Sequence, residues 1–299
     1  MSDLFSGVFP VMNTPFLDNG DIDLRGVASI VEFCIAEGCE QISIFALNSE
    51  PNKRTGGEKV GVLRAFQAAA RGRVQTAVGV IDSSMRGAIE FAALARESGA
   101  DGIILFPPMI APPAGEKLFS YLETVSAAAS MPVMYQDAPR TTGVTVTTDF
   151  LLDAARRIPN LKLIKVECVN PVLRLAALKS AMGDALKCHT GNGGIYVVDG
   201  FIRGGDGVMP GVANVGHFVA LYNAFRAGDL ETTRDIFENM MPLLWFEDQS
   251  LEFFVASEKE ILKRKGVIGS AHVRAPGMML DDPNRAELFA LVDRLKPLR

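Results

Sequence analysis

The sequence predicts a (β/α)8 barrel followed by a C-terminal helical extension. Three observations predict it. Eight short apolar runs rich in β-branched residues recur along the chain. Helical patterns separate them, as a parallel sheet covered by helices requires. After Val215 the strand patterns stop and only helical ones remain. Residues 1–214 therefore read as the barrel and residues 215–299 as an extension packed on it.

The predicted strands cover residues 7–13, 41–47, 74–80, 102–107, 132–137, 161–167, 186–190 and 207–212. Helical patterns fill residues 24–37, 58–70, 84–98, 115–129, 148–158, 171–182 and 194–203. Gly and Asp mark their ends, as in Ser98-Gly99-Ala100-Asp101-Gly102 and Arg203-Gly204-Gly205-Asp206-Gly207. Residues 217–227, 230–245, 249–265 and 284–295 read as the helices of the extension. A doubly wound open sheet is the alternative, but no GxGxxG follows any strand.

Composition narrows the function. The 299 residues are 48% hydrophobic, enough for one large core. The net charge is -5 with no basic run, which argues against nucleic acid or an anionic membrane as a partner. No apolar segment reaches the length of a membrane span, and the first seven residues lack the pattern of a signal peptide. Cys34, Cys39, Cys168 and Cys188 form no CxxC pair, so reduced thiols in a cytoplasmic protein are expected. His189, His217 and His272 are far apart and no acidic cluster joins them, so no metal is expected.

In a barrel of this kind, chemistry comes from the C-terminal ends of strands and the loops after them. Lys165 is the main candidate. It sits in Leu161-Lys162-Leu163-Ile164-Lys165-Val166-Glu167, where alternation puts Leu161, Leu163, Lys165 and Glu167 on one face. Desolvation there disfavours an ammonium, and a neutral amine can attack a ketone to form a Schiff base. The plainer alternative is a strand-end lysine that snorkels to water. Tyr135 lies on the preceding strand, about 4.8 Å away if both side chains point inward, and a phenol there can shuttle protons. A satisfied core tyrosine is its alternative. Asn48 and Ser49, with nearby amides, can hold a carboxylate, or they form an ordinary turn. Gly191-Asn192-Gly193-Gly194 permits close backbone approach to a ligand, or makes a tight turn. Met209 ends the last strand.

These residues, in this order, resemble the Schiff-base lyases that include dihydrodipicolinate synthase and N-acetylneuraminate lyase. Gly7-Val8-Phe9-Pro10, Thr14-Pro15-Phe16, Gly20 and Asp23 look like that family's first strand and loop. Tyr135 and Lys165 match its catalytic tyrosine and Schiff-base lysine, and Gly207-Val208-Met209 with Asn214 match its last strand. The biosynthetic synthase carries Gly-Thr-Thr-Gly-Glu after strand two, where this chain reads Ala46-Leu47-Asn48-Ser49-Glu50. It also has a tyrosine after strand four, where this chain has Met109, so two of three relay hydroxyls are missing. Arg140 sits where the synthase keeps an arginine for its second substrate. Asn48-Ser49-Glu50, Gln136-Asp137-Ala138-Pro139 and Lys165-Val166-Glu167 look more like the 2-keto-3-deoxy sugar acid dehydratase branch, of the L-arabonate type.

The resemblance implies a cofactor-free, metal-independent lyase acting on a small 2-oxo acid. The reaction is dehydration or aldol cleavage of a 2-keto-3-deoxy sugar acid. Lys165 is the nucleophile and Tyr135 the proton shuttle. Asn48 and Ser49 hold the carboxylate. Glu167 tunes Lys165 or binds a hydroxyl, Gln136 and Asp137 contact substrate hydroxyls, and Arg140 meets a second anionic group. A homodimer or homotetramer is implied as well. The alternatives are the synthase itself, a non-catalytic 2-oxo-acid-binding barrel, and a metal-dependent barrel aldolase.

Overall fold

The computed structural model describes residues 4–297. Its fold is a (β/α)8 barrel. The strands are β1 (Gly7–Val8), β2 (Gln41–Ile44), β3 (Gln75–Val80), β4 (Gly102–Leu105), β5 (Val133–Asp137), β6 (Leu161–Val166), β7 (Lys187–Thr190) and β8 (Gly207–Val208). All pair in parallel, in the spatial order β1-β8-β7-β6-β5-β4-β3-β2. A parallel bridge between Val11 and Ser43 joins the two ends and closes the ring. Ser43 N–H donates to Pro10 O at 2.8 Å and Met12 N–H donates to Ser43 O at 2.9 Å.

The first and last strands are regular for two residues each, shorter than the sequence predicts. Pro10 and Pro210 have no N–H to give to a ladder. Their carbonyls still serve it, because Val11 N–H donates to Pro210 O at 2.9 Å.

Between the strands run α1 (Leu24–Ala36), α2 (Gly56–Ala70), α3 (Met85–Glu97), α4 (Glu116–Ala129), the four-residue α5 (Pro139–Thr142), α6 (Thr148–Arg157), α7 (Pro171–Met182) and α8 (Val197–Ile202). Short side chains start several of them. Asp23 accepts from Gly26 N–H, and Thr55 with Glu58 forms a reciprocal capping box on α2. Then follow α9 (Val215–Arg226), α10 (Leu230–Glu247), α11 (Leu251–Arg264) and α12 (Asp282–Asp293). α9 packs on β1 and on α10, linking the barrel wall to the last three helices. No helix among the described residues is long and apolar enough to cross a membrane. The four cysteines are buried and free.

Two apolar layers sort the strand residues. The barrel interior holds Phe5, Phe9, Val11, Ala46, Ala77, Ile104, Phe106, Met134, Leu163 and Met209. The outer layer, under the helices, holds Ile103, Leu105, Val133, Tyr135, Leu161 and Ile164 among others. Leu161 and Leu163 fall in different layers although they are two residues apart. A register shift explains it: Val133 pairs with Leu161, but Met134 pairs with Leu163. The extra residue, Lys162, is exposed at this bulge and reverses the phase of β6. Leu163 and Lys165 then face inward, while Leu161 faces the helices.

Buried ionic contacts fasten α11 to the top of the barrel. Glu258 accepts from Val212 N–H at 2.7 Å and Ala213 N–H at 3.0 Å, just after β8. Lys259 Nζ lies 2.5 Å from Glu50 Oε2 and donates to His272 O at 3.0 Å. Glu50 has φ +56°, a left-handed conformation costly for a residue with a side chain. It lets the chain turn sharply between the 3-10 turns Leu47–Ser49 and Pro51–Lys53. The two lysines hold it there, with Lys53 Nζ at 3.4 Å from its Oε1. The turn that carries Asn48 is thus braced from beneath by α11.

Candidate active site

A cavity of about 460 Å3 opens at the C-terminal ends of the strands. Leu47 and Asn48 line one side, Ala138, Arg140 and Thr141 another, and Lys165, Glu167, Asn192, Gly193 and Met209 the floor and remaining wall. The turn between α10 and α11 roofs it with Asp248, Gln249, Ser250 and Leu251, helped by Phe254.

Lys165 reaches the cavity from β6 and is only 4% exposed. Its Nζ lies 3.1 Å from Glu167 Oε1. That carboxylate is fixed by two further donors. Asn192 N–H gives a hydrogen bond to Oε1 at 2.8 Å, and Gln136 Nε2 donates to Oε2. A carboxylate so held meets the amine in one geometry, without the entropy cost of ordering a free side chain. Below, His189 on β7 pairs in register with Lys165, and its Nε2 lies 2.9 Å from Phe5 O. Burial pulls the imidazole down to about 4, so it stays neutral under the lysine.

Tyr135 does not face Lys165. On β5 it pairs with Ile164, whereas Gln136 pairs with Lys165. Paired residues of a parallel ladder share a face, so Gln136 points inward and Tyr135 lies in the outer apolar layer. Burial first, and the nearby Asp137 second, push its phenol well above the ordinary range. The expectation of a tyrosine beside the amine is corrected by one residue of register, and the inward place belongs to Gln136. The same alternation turns Asp137 outward. Its Oδ2 pairs with Arg174 Nη1 of α7 at 2.7 Å, and it does not line the cavity.

Ser49 and Gly191 also act differently from expectation. The Ser49 hydroxyl accepts from Phe45 N–H at 2.8 Å and donates to Met12 O at 2.6 Å, so it is spent inside the turn. Asn48, by contrast, lines the cavity. The turn's own hydrogen bonds begin at Ser49 N–H and Glu50 N–H, which leaves the amides of Leu47 and Asn48 outside its ladder. Gly191 is needed because a Cβ there would overlap the Glu167 carboxylate. The close approach it permits is to Glu167, and Asn192 and Gly193 are the residues that meet the cavity. Met209 lines it as well.

Arg140 sits at the cavity rim, where its Nη2 lies 3.0 Å from Asp248 Oδ1. Asp248 had no signal in the sequence beyond a break between helical patterns, Gln249 and Ser250 fell at the start of an expected helix that begins at Leu251 instead, and Asn192 stood out only as part of a glycine-rich turn. Among the described residues, no three His, Cys, Asp or Glu side chains are grouped as metal ligands.

This geometry can be set beside known proteins. The model of the Dihydrodipicolinate synthetase family matches residues 4–295. The chain belongs to the dihydrodipicolinate synthetase family. As a member of that family of Schiff-base lyases it is a lyase. This family member is 29% identical to an L-2-keto-3-deoxyarabonate dehydratase of Azospirillum brasilense, over 98% of this chain and 95% of that protein. It is 27% identical to a 4-hydroxy-tetrahydrodipicolinate synthase of Salinibacter ruber, over 98% and 96% of the two chains. Its fold superposes on the crystal structure of YagE from Escherichia coli K12 in complex with pyruvate, with TM-score 0.92 and 25% identity, covering 98% of this chain and 99% of that one.

Proposed function

We propose that this family member forms a Schiff base between Lys165 and C2 of a 2-oxo acid, and that Glu167 is its proton-transfer group. The observation that carries this reading is the buried Lys165–Glu167 pair, 3.1 Å apart at the floor of the cavity. The substrate class we favour is a 2-keto-3-deoxy sugar acid, undergoing dehydration or aldol cleavage. The similarity to the Azospirillum dehydratase supports that class.

The steps follow from the geometry. The substrate carboxylate lies against the Leu47–Asn48 turn, whose first amides stand outside the turn's own hydrogen bonds and suit an anion. Lys165 Nζ attacks C2 as the amine, and the carbinolamine loses water to give an iminium. In dehydration, Glu167 takes a proton from C3 and the electron pair forms the C2=C3 bond of an enamine. The enamine then expels the C4 hydroxyl, which leaves as water with the proton from Glu167. In aldol cleavage, Glu167 instead takes the C4 hydroxyl proton, the C3–C4 bond breaks, and the resulting enamine regains a proton at C3. Hydrolysis of the imine frees Lys165 in both. One carboxylate serves as base and then as acid. Asn192 N–H and Gln136 keep it aimed at the nitrogen throughout.

Borohydride trapping tests the proposal. Incubation with pyruvate, or with a panel of 2-keto-3-deoxy sugar acids, followed by reduction, should add the ligand's mass to the peptide bearing Lys165. Lys165→Ala should abolish the adduct. Folded protein that gives no adduct with any ligand would remove the basis for the mechanism.

A further inference from the structure

The floor of the cavity accounts for the reacting end of a 2-oxo acid but not for the other end. That end faces the rim, where Arg140 and Asp248 meet at 3.0 Å. Arg140 stands in α5, directly after β5, and Asp248 caps the C-terminus of α10. The contact therefore ties a barrel loop to the helical extension across the mouth. As a stabilising contact it is worth little, because the arginine side chain is 68% exposed. Its consequence is electrostatic. An unpaired arginine would offer a positive end-point for a second anionic group. With Asp248 bound to it, and Asp248 only 26% exposed, the rim carries no net charge.

The neighbouring rim groups are neutral and polar. Gln249 donates through Nε2 to Phe246 O at 2.9 Å, which leaves its Oε1 as an unspent acceptor. Ser250 accepts through Oγ from Phe253 N–H at 3.1 Å, which leaves its O–H as a donor. Thr141 adds a second hydroxyl to the cavity wall. Donors and acceptors of this kind match alcohol groups, whereas a second carboxylate would meet Asp248 as a like charge.

Resting on the Schiff-base reading above, we infer that the Arg140–Asp248 pair selects 2-oxo acids whose far end carries hydroxyls and rejects those that end in a second carboxylate. Asp248 is then a specificity residue supplied by the extension, acting at the opposite end of the cavity from Lys165.

The test compares two probes of equal length, 5-hydroxy-2-oxopentanoate and 2-oxoglutarate, which differ at the tail. Their rates of reductive trapping on Lys165 are measured with wild type, Asp248→Asn and Asp248→Glu. Each rate is divided by that of pyruvate, which has no tail, in the same variant. In wild type the hydroxyl-ended probe should be trapped faster. Asp248→Asn should narrow the ratio on the order of ten-fold, the size expected for one charge about 8 Å away in a half-wet cleft. Asp248→Glu should restore the preference. Equal trapping of the two probes by wild type, or a ratio unmoved by Asp248→Asn, would overturn the inference while pyruvate trapping left the Schiff-base reading standing. Failure of pyruvate itself to be trapped would overturn both.

Discussion

Tyr135 and Lys165 stand on neighbouring strands and on opposite faces of the sheet. The register puts Tyr135 beside Ile164 and Gln136 beside Lys165. The phenol is sealed in the outer apolar layer and the amine opens into the cavity. In the proposed mechanism, proton transfer at the imine therefore falls to the Glu167 carboxylate, two residues beyond Lys165 and just past the end of β6.

Tyr135→Phe should leave turnover within about three-fold of wild type, since a group that does not meet the reacting atoms adds little to the barrier. Stability should change by about 1 kcal/mol or less, the usual size for one buried hydroxyl. Steady-state kinetics and urea unfolding check both. A fall in turnover of a hundred-fold would show that the phenol reaches the chemistry.

Glu167→Gln should separate imine formation from turnover. Lys165 keeps its place, so pyruvate should still be trapped by borohydride. Turnover should fall by roughly 10²–10⁴, the range for loss of a general acid–base group. Trapping and kcat, measured on the same preparation, decide the matter. An unchanged kcat would move the proton transfer elsewhere.

Gly191→Ala places a methyl where the Glu167 carboxylate lies. Either the carboxylate moves away from Lys165 or the turn shifts. We expect kcat to drop at least ten-fold and stability to fall by about 1–3 kcal/mol, the range for overpacking. Thermal unfolding monitored beside kcat measures both. A variant as active as wild type would mean that Glu167 is not needed in this place.

Glu258 sets an expected pH dependence of stability. Burial pushes its carboxyl up to about 7, against the pull of the Ala213 and Val212 N–H groups and of Lys265. Glu247, buried beside it, is raised in the same direction, by burial first and by Glu258 second. A carboxyl whose folded value lies above its unfolded one binds its proton more tightly in the folded state. Its contribution is complete below about 4.5, the ordinary value, and is lost as pH rises toward about 7. Urea unfolding of wild type should show this decline, of a few kcal/mol at most. Glu258→Gln keeps an acceptor for the two N–H groups and should flatten the profile over that window.

The barrel was legible because its signal is local. Eight apolar runs alternating with helical patterns and ending in Gly or Asp leave few other ways to bury so much apolar surface. Lys165 was legible for the same reason, as a charge flanked by Ile164 and Val166 near a strand's end. Tyr135 was misplaced because β5 is buried on both faces from Val133 to Asp137, so alternation carries no sign of which face is inside. The bulge at Lys162 had no local signal either, and it reversed the phase of β6 near the strand's start.

By itself, then, the sequence determined the order of the eight strands and of the longer helices, and it singled out the lysine proposed to carry the chemistry. Both follow from periodicity and from the cost of burying a charge. Tertiary structure decided which neighbour faces that lysine, because register between strands is a relation between distant residues and not a property of either strand. It also decided that Gly191 makes room for Glu167 rather than for a ligand. Finally it placed Asp248 over the cavity, more than a hundred residues from its partner Arg140, where α10 gives way to α11 and the buried contacts of Glu258 and Lys259 hold the extension down.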